Sequence, residues 1–67
     1  MWYWIERLVD SQWHPIRIGR FTESASYAKA DAAWGAVLIG RDAGRYRLCF
    51  GQYVGAPYEI VKEIAKR

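Results

Sequence analysis

Sixty-seven residues carrying a net charge of +3 and a pI near 9.3 make one small domain, mildly basic, with 52% hydrophobic and 16% aromatic residues. The charge excludes an acidic mimic of nucleic acid, a single cysteine excludes an internal disulfide, and no apolar run approaches the roughly 20 residues of a membrane span. A chain this short buries only about 60% of its unfolded surface, so its apolar surplus predicts a homodimer or a dedicated partner surface.

Residues 2–9 and 13–18 are rich in aromatic and β-branched residues around Asp10-Ser11, which predicts a hairpin with a two-residue turn. In that register Ile5 faces Ile16, Trp4 faces Arg17 and Tyr3 faces Ile18. One face then holds Tyr3, Ile5, Val9, Ile16 and Ile18, with Arg7 and His14, and reads as core. The other holds Trp2, Trp4, Leu8, Trp13, Pro15 and Arg17 around Glu6. A three-residue loop would shift the pairing by one and send Trp2 and Trp4 inward. With the shorter turn, Trp2, Trp4, Trp13 and Arg17 form a candidate partner-binding surface, and the Arg17 guanidinium stacked on the Trp4 indole is worth roughly 0.5–1 kcal/mol.

Thr22-Glu23-Ser24 is a helix start signal, and residues 23–34 are strongly helix-forming, with Ala25, Ala28 and Ala32 as the stripe laid on the sheet. Gly35 serves as the stop. Residues 36–41 and 45–50 flank Asp42-Ala43-Gly44 and predict a second hairpin, whose rival is a helix continuing through Ile39. After a loop at 51–56, Pro57 opens a final helix over residues 58–66, with Ile60, Val61, Ile64 and Ala65 as its apolar stripe. The expectation is an α+β domain of order ββαββα, one antiparallel sheet with an alanine-rich helix on one face and a C-terminal amphipathic helix.

Chemistry is sparse. One histidine and one cysteine do not make a metal site, a Cys49–His14 pair has no third group to orient it, and the glycines form no phosphate loop, so neither enzyme nor cofactor is expected. The lone thiol fits a reducing cytoplasm, and no secretory signal is read at the start. Two binding classes remain. Aromatic and arginine side chains are enriched at protein interfaces. They also stack bases and neutralise phosphates, for which Arg17, Arg41, Arg45 and Arg47 are the candidate stripe. A blander alternative packs Trp2, Trp4 and Trp13 against the last helix or a second copy.

The order of Ile5-Glu6-Arg7 after tryptophan, a turn, Trp13-His14-Pro15, Phe21-Thr22 before an alanine-rich helix, and a late Tyr46-Arg47-Leu48 resembles short phage and prophage proteins, several anti-CRISPR proteins among them. The resemblance covers about residues 2–50 in layout and leaves the C-terminal helix outside it. It implies a stoichiometric inhibitor or adaptor bound to a host protein or ribonucleoprotein complex, with no chemistry of its own.

Overall fold

The computed structural model describes residues 1–67. Its elements are β1 (Trp2–Val9), β2 (Gln12–Ile16), β3 (Glu23–Ser24), α1 (Tyr27–Ile39), β4 (Gly44–Gly51) and β5 (Glu59–Lys66). The sheet is antiparallel in the order β2-β1-β4-β5, with β3 continuing the β2 edge of β1. No helix is long and apolar enough to cross a membrane.

The first hairpin has the expected two-residue turn and register, from Val9–Gln12 to Ile5–Ile16. Asp10 and Ser11 both take positive φ, 50° and 66°, the backbone whose twist matches two paired strands. The ladder stops sooner than expected. Trp4 pairs with Glu23 and Tyr3 with Ser24, in place of Arg17 and Ile18. Residues 17–22 leave the sheet between those positions and fold on themselves through the two backbone bonds joining Ile18 and Phe21. Burial explains the excursion: Ile18 and Phe21 are packed against the core from the helix side.

The single helix starts later and ends later than the sequence predicts. Glu23 and Ser24 are taken up by β1, so Ser26 becomes the N-cap, its hydroxyl accepting from the Lys29 N–H at 3.3 Å. The helix runs through Gly35 to Ile39, so the expected strand at 36–41 and the second hairpin are not formed. Its buried stripe is Ala30, Ala33, Trp34 and Val37, while Ala25, Ala28 and Ala32 face solvent. A helix cut at Gly35 loses Val37, and with it the periodicity that marks the true inner face. The Gly40 N–H reaches Ala36 and Val37 carbonyls, and Lys66 Nζ donates to the Val37 carbonyl at 2.6 Å and to that of Gly40.

The ββαββα order is overturned at the C-terminus as well: residues 59–66 are a strand, and no second helix exists. An isolated helix of that length is marginal in water, whereas β4 offers a whole edge for pairing. β-Branched Ile60, Val61 and Ile64 suit that edge, and β5 joins it with a bulge opposite Leu48 and Cys49. β4 thus lies between β1 and β5. The helix-side core joins Ile5, Tyr46 and Leu48 of the sheet to the inner stripe of α1, with Tyr3, Ile16, Val61 and Ile64 around it. Val9, expected in that core, is largely exposed at the hairpin end.

The turn yields a test. Non-glycine residues in left-handed backbone are strained, and Asn-Gly relieves that strain in this turn type. Asp10→Asn with Ser11→Gly is expected to raise the unfolding free energy by about 1 kcal/mol. A urea midpoint that falls instead would contradict the turn geometry.

Candidate functional site

The helix-free side of the sheet is built around a carboxylate. Glu6, 1% exposed, lies on β1 opposite Arg47 of β4, and both point away from the helix. The Trp4 indole Nε1 donates to Glu6 Oε2 at 2.9 Å. Arg47 donates to Glu6 Oε1 through Nε at 2.7 Å, with Nη2 at 2.6 Å from the same oxygen. The guanidinium then lies 4.2 Å from the Trp13 ring centre. Arg45 sits at 5.8 Å from that ring and forms an ion pair with Glu63 at 2.8 Å.

The connection between β4 and β5 roofs this layer. A Cβ on Gly51 would lie 2.8 Å from the Ala56 carbonyl oxygen and 3.0 Å from Trp4 Cη2, so only glycine lets the roof close over the indole. Trp4 and Cys49 beneath it are fully buried. Burial, reinforced by the neighbouring Glu6 carboxylate, pushes the Cys49 thiol up to about 12. A thiol in that state is a packing group and a poor nucleophile.

This layer takes up some of the residues singled out in the sequence. Trp4 is buried and unavailable to a partner, Trp13 is half-buried beside Arg47, and Trp2 is 43% exposed at the start of β1. Arg17 is exposed on the excursion, and the expected Trp4–Arg17 stack gives way to Arg47 on Trp13. The arginine stripe is not assembled either. Arg45 and Arg47 are paired with carboxylates, and exposed Arg41 lies in the turn after α1.

A second surface was missed. At the end of the sheet where β1 begins and β4 finishes, four rings touch in series on the helix side. Tyr27 meets Tyr3 edge-on at 5.5 Å, Tyr3 meets Phe50 at 4.5 Å, and Phe50 meets Tyr58 at 5.8 Å. Tyr58 is 71% exposed and Tyr27 44%, and Trp2 stands at the same end, opposite Gly51. Lys62, bonded to Asp31 at 2.8 Å, borders the ladder near Tyr27. The sequence signal is faint, because Tyr58 falls within the predicted helix over residues 58–66, which does not form, and Tyr27 within an alanine-rich helix. No family model, curated protein or solved structure matches the chain.

Two measurements follow from the buried layer. Glu6→Ala strands the Arg47 guanidinium and the Trp4 N–H, and breaking such a pair costs about 3–5 kcal/mol, comparable with the whole stability of a small domain. That variant should show no cooperative unfolding transition by circular dichroism at 25 °C; an unchanged midpoint would remove the network from the fold's support. The thiol gives a pH dependence. Its folded pKa near 12 lies above the ordinary 9.0, so the folded chain keeps a proton that the unfolded chain loses. The stabilisation is complete below pH 9.0 and is lost as the pH climbs from there towards 12. Urea midpoints should fall more steeply above that lower value in the wild type than in Cys49→Ala.

Proposed function

We propose that this chain is a non-enzymatic protein-binding module whose contact surface is the aromatic end of the sheet, centred on Tyr27 and Tyr58. The observation that carries the reading is the exposed ring ladder. Large rings held by one another lose little entropy on binding, and tyrosine and tryptophan dominate interface hot spots. The anti-CRISPR-like resemblance supports the same class, a stoichiometric inhibitor or adaptor for a host protein or ribonucleoprotein complex. Its compartment would be the cytoplasm.

Nucleic-acid binding is the weaker alternative. Base stacking and phosphate neutralisation need rings and free cations on one surface. Here Arg45 and Arg47 are paired with Glu63 and Glu6, while the unpaired Glu59 stands opposite Phe50 in the ladder. Self-association through the open β5 edge is also disfavoured by register. A two-fold antiparallel pairing centred on Val61 sets Glu59 against Glu63, and one centred on Ile64 sets Lys62 against Lys66. Centring on Lys62 or Glu63 sets that residue against its own copy. Every such register that pairs five or more residues of β5 therefore sets like charges opposite one another.

The test is retention of a protein partner from bacterial lysate by wild type and by Tyr27→Ala with Tyr58→Ala, both checked for folding. Loss of about 2 kcal/mol or more, hence at least tenfold weaker retention, is expected for the double variant. Undiminished retention would place the contact elsewhere. Fluorescence anisotropy with labelled DNA and RNA should show no binding at low salt, where attraction to phosphates is strongest.

A further inference from the structure

Beside α1, where residues 17–22 arch back to the sheet, lies an open groove of about 610 Å³. Lys29, Ala32, Ala33 and Ala36 form its helix wall, and Ile18 and Phe21 stand on the excursion side. Three alanines in succession leave depth that longer side chains would occupy. The volume falls in the range of small-molecule sites. Past Ala36 the groove meets a smaller cavity of about 100 Å³ that shares Ile18 and Ala36 with it.

Two of the three charged residues around this apolar floor are cations. Arg20 and Lys29 both line the groove, and neither belongs to the ion pairs of the chain, which engage Arg45, Arg47 and Lys62. Lys29 stands in the first turn of α1, a position in which a cation faces the positive end of the helix dipole and stabilises nothing in the helix. Glu23 also borders the groove, but it pairs with Trp4, and cross-strand partners project to the same side, so its carboxylate turns to the helix-free face. An apolar trough with two uncompensated cations, whose one bordering carboxylate is on a strand position directed to the other face, complements an anion with a hydrocarbon tail.

We propose that this groove binds a single-chain amphiphile with a carboxylate head, a fatty-acid-like ligand. Lys29 and Arg20 hold the head, and the chain lies along Ala32, Ala33 and Ala36 against Ile18 and Phe21. The surface is distinct from the aromatic end and stands or falls without it.

The probe is decanoate, titrated calorimetrically into the whole protein below its micelle concentration, with decanol and decyltrimethylammonium as neutral and cationic counterparts. Saturable one-to-one binding of decanoate is expected, with the cationic amphiphile at least tenfold weaker. Arg20→Ala with Lys29→Ala should weaken decanoate by roughly tenfold or more, the worth of a charged contact or two, and leave decanol unchanged. Ala36→Phe, at an exposed helix position, should fill the trough and abolish binding of decanoate and decanol alike. In the wild type, ligand-induced proton shifts should fall on the Ile18 methyls and the Phe21 ring. Absence of saturable binding, equal affinity for the cationic amphiphile, or shifts centred on Tyr27 and Tyr58 would each overturn the assignment, whether or not Ala36→Phe folds.

Discussion

Glu6 is a carboxylate placed where a small domain can least tolerate one, in the middle of a central strand and 1% exposed. It is tolerated because both oxygens are satisfied, one by the Trp4 indole and the other by the Arg47 guanidinium. Several consequences follow from that arrangement. The bond to Arg47 crosses from β1 to β4 and fixes the register of the central strand pair. The bond to Trp4 anchors the indole against which the connection after β4 closes at Gly51. The arginine in turn covers Trp13 and ties in the edge strand β2. A hydrophobic trio would bury as much area, but would not specify which strand lies beside which.

The domain consequently has two unequal layers. On the helix side, Ile5, Leu48 and Tyr46 meet Trp34 and Val37 in a conventional apolar core. On the other side a loop takes the role of a second helix, covering Trp4 and Cys49. Two of the apolar surfaces that this economy leaves exposed bear on binding. One is the aromatic ladder at the end of the sheet. The other is the outer surface of α1, where Ala28, Ala32 and Ile39 are exposed and the groove beside the excursion begins. Arg45 and Arg47 are neutralised by Glu63 and Glu6 within the fold, which withholds these two charges from the rings that nucleic-acid binding would need beside them.

Much of the first hairpin was determined by sequence alone. Alternation in residues 2–9 and 12–16 and the polar Asp10-Ser11 pair are local signals, and they set the turn, the register and the inner face that carries Ile5 and Ile16. The presence of an alanine-rich helix was equally legible. Everything settled by competition between distant segments was not. Arg17 and Ile18 extend the hairpin in the sequence, but Ile18 is better buried under the helix, so Glu23 and Ser24 complete the edge. Residues 59–66 read as an amphipathic helix because apolar positions at 60, 61, 64 and 65 fit a helical stripe; the open edge of β4 decided for a strand. Trp4 reads as a surface aromatic because nothing local says that residues 52–58 will roof it. The ladder of Tyr27, Tyr3, Phe50 and Tyr58 joins four segments of the chain. Side-chain periodicity is a property of one segment, whereas burial is a property of what lies against it, and only the tertiary structure supplies that neighbour.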